Sequence, residues 1–145
     1  MFESYGIIAD RLDMPEEGAC QNLLDQYNQI DIALDPFPYS GAATTCEALW
    51  MGVPVVTCPQ KTFAGRQTLS HLSAVGLAEL VAEDLTHYED LAVALVADRD
   101  RLAAWRSGLR VQMAASPLCD GAQCARHLMK ALRRLWAEWC SSAAK

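Results

Sequence analysis

The run Ser40-Gly41-Ala42-Ala43-Thr44-Thr45 carries no bulky side chain, and a single carboxylate, Glu47, follows two residues behind it. Small residues let a ligand approach the main chain closely. Where such a run opens a helix, the first amides have no acceptor inside the helix and the dipole favours an anion, which suits phosphate. The hydroxyls of Thr44 and Thr45 would add hydrogen bonds. Glu47, about one turn into the helix, would repel phosphate but would accept two hydrogen bonds from the vicinal hydroxyls of a ribose one position removed. Amides for a diphosphate and a carboxylate for a ribose make a nucleotide grip. The plainer alternative is that Glu47 gains only from the helix dipole and that the small residues only let helix and sheet pack tightly. The run is not a P-loop, because GxxxxGK followed by Ser or Thr occurs nowhere in the chain.

Flanking segments must place this run at a sheet edge. Residues 31–35 (DIALD) read as a short buried strand and residues 53–58 (VPVVTC) as another. Between them residues 41–51 contain helix formers, and Gly52 stops the helix. Strand, loop, helix and strand form a βαβ unit. Such a unit sets the first turn of its helix at the carboxyl edge of a parallel sheet, where open α/β folds bind ligands.

Around that unit, residues 2–5 read as the tail of a helix ended by Gly6. Residues 11–14 read as a strand, 15–18 as a loop, and 20–29 as a helix with Leu23, Leu24 and Tyr27 at helical spacing. Residues 66–75 fit a helix stopped by Gly76, with Leu69, Leu72 and Ser73 inward, and residues 80–82 a short strand. From Asp84 onward the chain reads as helical. Asp84 caps a helix with a stripe of Leu91, Val93, Leu95 and Val96, and Asp98 or Asp100 caps another through Leu102, Trp105, Leu109 and Met113. Ser116-Pro117 breaks it. A last helix is expected to bury Ala125, Leu128, Met129, Leu132, Leu135, Trp136 and Trp139. Three or four short parallel strands with flanking helices and a helical tail make a Rossmann-like α/β half-domain. The domain reading is a single unit, residues 1–145, with C-terminal helices over 84–143.

At 145 residues the chain fits one domain or one lobe of something larger. A composition 52% apolar and 21% charged suits a core and argues against disorder. The net charge of −6 is uneven: residues 121–145 hold five basic side chains against Glu138, so the remainder carries −10. That remainder disfavours nucleic acid as partner, and the basic tail reads as a solvated helix face. No apolar run reaches the roughly 20 residues of a membrane span, and the start MFESY lacks the basic opening of a signal peptide. The six cysteines include no CxxC pair, and His71, His87 and His127 are not at ligand spacing. Reduced thiols, no metal, no membrane contact and a cytoplasmic setting are the expectation.

The segment YNQIDIALDPFPYSGAATTCEALWMGVPVVTCP, with ASPLCD after it, closely resembles glycosyltransferase family 41, the O-GlcNAc-transferase-like and Spindly-like proteins. The pattern DxFPYxGxxTTCEALWMGxPVVT is long and specific, and the likeness extends over roughly residues 2–139. The resemblance implies a GT-B fold of two Rossmann-like lobes, preceded by TPR repeats, with this chain as the later part of the second lobe. It places the donor-diphosphate contacts on Gly41, Ala42, Ala43 and Thr44, with Thr45 beside them, and the ribose contact on Glu47. It implies a nucleoside diphosphate sugar as substrate, UDP-GlcNAc being the expected donor, with no cofactor and no metal. Further donor contacts, the acceptor groove and the repeats fall upstream of residue 1, so the chain reads as an excised piece or a truncated product.

Two departures from the family pattern stand out. Ala43 replaces a hydroxyl residue, and a lost hydrogen bond to a charged group costs about 1.5–3 kcal/mol. Leu23 aligns with a histidine common among relatives. Two functions are therefore expected to compete. One is the donor-binding portion of an inverting glycosyltransferase acting on Ser/Thr hydroxyls of a protein, inactive as an isolated chain and without an identifiable base. The other is a non-catalytic α/β binding or interaction module, self-associating through the surface that a missing lobe would cover.

Overall fold

The computed structural model describes residues 2–14 and 23–143. Short 3₁₀ turns at Phe2–Tyr5 and Ala9–Arg11 come first. The helix α1 (Leu23–Gln26) runs into a further 3₁₀ turn at Tyr27–Gln29. The expected βαβ unit follows as β1 (Ala33–Leu34), α2 (Ala43–Trp50) and β2 (Val55–Val56), with the strands parallel, Ala33 opposite Val55 and Leu34 opposite Val56. Then come α3 (Gln67–Val75), α4 (Leu85–Ala97), α5 (Arg99–Ala114), a 3₁₀ turn at Pro117–Cys119 and the long α6 (Gly121–Ala143). The loop read at 15–18 and the start of the helix read at 20–29 lie outside the described residues.

The strands are shorter than the sequence suggests because proline and helix ends claim their main-chain groups. Pro36 stands two residues past β1, and Pro54 has no amide to give, although its carbonyl accepts from Ala33 at 2.9 Å. The amide of Val53 turns back to the Ala48 carbonyl at the end of α2 (2.8 Å). The third strand read at 80–82 is reduced to one parallel bridge, Thr57 with Val81. Its two bonds are Thr57 N to Leu80 O (3.1 Å) and Ala82 N to Thr57 O (2.8 Å). Two strands and that bridge are the whole sheet among the described residues. The strand read at 11–14 does not form; its first residue closes the 3₁₀ turn at Ala9–Arg11, and no neighbouring strand pairs with it among the described residues.

Helix ends follow the capping chemistry closely. Asp84 accepts from the His87 amide and Asp98 from the Arg101 amide, each at the start of its helix. Gly52 and Gly76 end α2 and α3 at φ of 80° and 82°. The core lies between the sheet and α2, α3 and α5, where Leu49, Leu72, Leu77, Leu80 and Leu109 are fully buried, each contributing about 1.5–3 kcal/mol by leaving water.

Three packing expectations are corrected. On α3 the inward positions are Thr68, Leu72 and Val75; Ser73 faces out and its hydroxyl returns to the Leu69 carbonyl. On α4 Leu95 is buried and Leu91 half-buried, while Val93 and Val96 face solvent, since at about 100° per residue Val93 lies opposite Leu91 and Leu95 and Val96 is turned about 100° from Leu95. The stripe of α6 forms as expected but is not buried: Leu128, Met129, Leu132, Leu135, Trp136 and Trp139 are all at least half exposed. That helix leans chiefly on the 3₁₀ turn at Pro117–Cys119 and then leaves the body. No helix among the described residues is long and apolar enough to cross a membrane.

Gly52 marks the tightest backbone approach between α5 and the α2–β2 turn. A Cβ there would lie 2.6 Å from the Arg106 carbonyl oxygen, whereas one at Gly108, inside α5, meets nothing within 4 Å. In urea unfolding, Gly52→Ala is expected to lose at least the ~1–3 kcal/mol of a strained backbone. Gly108→Ala is expected to gain ~0.5–1 kcal/mol.

Candidate functional site at the carboxyl edge of the sheet

Asp35 directly follows β1 and is buried, at 5% exposure. A buried carboxylate is tolerable only when it is hydrogen-bonded, and this one has four donors. Oδ2 accepts from Ser40 Oγ (2.8 Å) and Thr57 Oγ1 (2.6 Å); Oδ1 accepts from the Gly41 amide (2.7 Å) and Thr68 Oγ1 (2.9 Å). The Thr68 amide also donates to Ser40 Oγ (3.0 Å), and the Ser40 amide to the Ala64 carbonyl (3.0 Å). Tyr88 on α4 donates to the Asp35 carbonyl at 3.0 Å. The loop from 35 to 42 is thereby held from three sides.

The loop delivers the chain into α2 without a cap. Ala42, the N-cap residue, has no side-chain acceptor, so the first amides of the helix are left for water or a ligand. Gly41 is required there, because a Cβ would lie 2.7 Å from Thr45 Oγ1 and 2.9 Å from Thr44 Oγ1. The structure separates residues that the sequence grouped. Gly41 donates its amide inward to Asp35. Thr45 is buried and its Oγ1 lies 2.8 Å from Thr68 Oγ1. Since the Thr68 proton goes to the carboxylate, where the bond is charge-assisted, Thr45 is the donor in that pair. Ala43 and Thr44 remain exposed on the first turn and Ala42 half-buried before it.

Glu47 sits one turn along α2, half-buried, and its Oε2 is buried without any hydrogen-bond partner. No ion pair among the described residues involves it. Tyr27 stands near: its hydroxyl donates to the Thr44 carbonyl at 3.2 Å. Burial first, and the Glu47 charge second, push the Tyr27 phenol above its ordinary pKa, so it stays a donor. Burial, then the charges of Cys119 and Glu47, likewise raise the Cys46 thiol, which is therefore a poor nucleophile. Tyr27, Leu34, Asp35, Pro36, Gly41 and Thr44 border a hollow of about 130 Å³. A larger hollow of about 480 Å³ beside Asp31, Arg99 and Arg106 lies at the opposite, amino end of β1 and has no open helix end.

Asp35, Thr57 and Thr68 were not singled out by the sequence as site residues. An acid closing an otherwise apolar strand was the available signal, since such a residue is buried only with partners. The three histidines lie on α3, α4 and α6. Among them His71 has a buried Nδ1 without a partner; burial lowers its pKa and the Asp35 charge only partly offsets this. The described residues contain no cluster of metal-ligating side chains, and the five described cysteines are free.

A parallel βαβ unit flanked by helices makes this an α/β fold. A model of glycosyl transferase family 41 matches residues 4–128, and the chain belongs to that family. It is 40% identical over 141 residues to a probable UDP-N-acetylglucosamine–peptide N-acetylglucosaminyltransferase SPINDLY of Petunia hybrida, covering 97% of this chain and 15% of that protein. The like-named protein of Oryza sativa subsp. japonica is 44% identical over 121 residues, 83% of this chain and 13% of its own length. Among solved structures, a variant of the Thermobaculum terrenum O-GlcNAc transferase superposes with a TM-score of 0.87 at 41% identity, over 97% of this chain and 27% of that one. The chain thus spans only a minor part of its relatives.

Two measurements check this geometry. Thr68→Val removes one donor from Asp35 and should lower unfolding free energy by about 1–3 kcal/mol. For His71 the sign follows from its depressed folded pKa. Its contribution is intact above the ordinary value of 6.5 and is lost as pH falls through the folded value. Urea midpoints should therefore drop between pH 7.5 and pH 5, and His71→Gln should remove part of that drop.

Proposed function

We propose that this chain is the donor-binding portion of an inverting glycosyltransferase of GT-B architecture, taking a nucleoside diphosphate sugar, with UDP-GlcNAc as the expected donor and protein Ser/Thr hydroxyls as acceptors. The observation that carries the reading is the unpartnered Glu47 oxygen standing one turn from an uncapped helix start. Buried carboxylate oxygens almost always have donors, and ribose hydroxyls are donors of the right kind. The names of the relatives support the same donor class.

In this reading the outward amides at Ala42, Ala43 and Thr44 meet the leaving diphosphate, with the Thr44 hydroxyl beside them. Donors fixed before the reaction stabilise charge as it develops, without having to reorganise. Gly41 and Thr45 serve indirectly: they are bonded inward and hold the turn in shape. Glu47 anchors the nucleoside so that the anomeric carbon is aligned. The 130 Å³ hollow is too small for a whole nucleotide sugar, so the remaining walls belong to parts of the protein upstream. Acceptor binding and any TPR repeats belong there too, and the 145-residue chain alone is expected not to transfer sugar.

Titration calorimetry with UDP and GDP tests the reading. Binding of either at millimolar or better is expected, weakened at least tenfold in Glu47→Ala, in line with about 1.5–3 kcal/mol for hydrogen bonds to a charged group. No heat with either nucleotide would overturn it.

A second reading, an interaction module, is favoured by α6 alone. Its exposed apolar face carries Trp136 and Trp139 at 67% and 65% exposure, with Arg126, Lys130 and Arg133 along one flank. Exposed stripes of that size mark contact surfaces. Covered by an upstream lobe, the face fits the enzyme reading; uncovered, it would drive self-association. Sedimentation of the 145-residue chain should show oligomers that Leu132→Glu reduces, while nucleotide binding is unchanged.

A further inference from the structure

Arg106 on α5 borders the larger hollow and not the 130 Å³ one, yet it is bonded to two of the segments that form the latter. Its Nη1 donates to the Tyr27 carbonyl (2.9 Å) and to the Met51 carbonyl (3.0 Å), and its Nη2 donates to the Ile30 carbonyl. Tyr27 and Ile30 bracket the 3₁₀ turn after α1; Met51 is the C-cap residue of α2. One guanidinium therefore ties the segment that presents Tyr27 to the far end of the helix that presents Thr44 and Glu47. Gly52 permits the approach, since any side chain there would meet the Arg106 backbone. One turn on, Arg110 Nε donates to the Trp50 carbonyl at 2.7 Å, and its guanidinium lies 5.3 Å from the centre of the Trp50 ring. The carbonyl end of α2 is thus closed by two cations, while its amide end is open.

We infer that Arg106 is a positioning residue for the donor site: acting through Tyr27, it sets the wall of the hollow against the first turn of α2. Tyr27 borders the hollow and its hydroxyl reaches the Thr44 carbonyl. A shift of the 3₁₀ turn would pull that hydroxyl away, releasing the first turn of α2 where Thr44 borders the hollow. Only a planar, multi-donor cation can bridge carbonyls from two segments at once; a lysine ammonium is a compact point charge on a flexible stem and cannot reproduce the fork. The functional consequence rests on the donor-site reading, but the positioning itself does not.

The test uses Arg106→Lys, Arg106→Met, Tyr27→Phe and the Arg106→Lys/Tyr27→Phe double variant. Amide hydrogen exchange is followed in the unliganded chain, UDP and GDP affinities by calorimetry, and global stability by urea. In Arg106→Lys, the amides of Cys46 and Glu47 should exchange at least tenfold faster while that of Leu72 in α3 keeps its rate. The dissociation constant for nucleotide should rise about tenfold. In the Tyr27→Phe background the same substitution should add less than threefold, because residues acting through one contact are not additive. Unchanged exchange at Cys46 and Glu47 overturns the inference. So does acceleration spread evenly over α2 and α3, the mark of a purely structural residue, or full multiplication of the two effects. Should Arg106→Met fail to fold, Arg106→Lys carries the comparison. If the unsubstituted chain binds neither nucleotide, the donor reading fails and the exchange rates still decide the positioning.

Discussion

The carboxylate of Asp35, shut away from water at the end of the first strand, is the constraint on which the rest of the site depends. Leaving such a charge buried without donors would cost several kcal/mol. Satisfying it requires Ser40 and Gly41 from the following loop, Thr57 from the end of β2 and Thr68 from α3. Those donors come from segments far apart in the chain, so the charge fixes their relative placement. A fully satisfied polar network of this kind specifies one arrangement. Here the arrangement is a tight loop feeding a helix whose start is uncovered.

The helix α2 then behaves as an object with two unlike ends. At its carbonyl end Arg106 and Arg110 donate to Met51 and Trp50, which suits the negative pole of the helix dipole. At its amide end Ala42 supplies no cap. Most helices in a stable domain are capped at the start, as α4 and α5 are here by Asp84 and Asp98. The start of α3 likewise has no side-chain cap, but only that of α2 stands one turn from the single described carboxylate oxygen that is buried without a donor.

Much of this was legible beforehand, and the limits have physical causes. Helix stops at Gly52 and Gly76 and starts at Asp84 and Asp98 are local events, set by a few neighbouring residues, and the βαβ order followed from them. Strand length was not legible, because whether Val53 bonds to a strand or back to Ala48 is decided in three dimensions. The polar knot escaped for the same reason: Thr68 lies 33 residues from Asp35. Thr45 read as a ligand group because its hydroxyl is next to that of Thr44, yet one step along a helix turns a side chain by 100°, enough to send one outward and the other into the knot. For α6 the periodicity correctly gave an apolar face, but periodicity contains no information about what covers it.

The uncovered start of α2 has one more consequence, for how the family can vary. In the donor-site reading the main-chain amides at positions 42 and 43 stay whatever side chains stand there, so change at these positions weakens the recess without abolishing it. Change at Gly41 or at the carboxylate behind it is a different matter, since it deforms the frame itself. Divergence should accordingly be permissive in the lining and strict in the scaffold, the reverse of a pocket built from side chains.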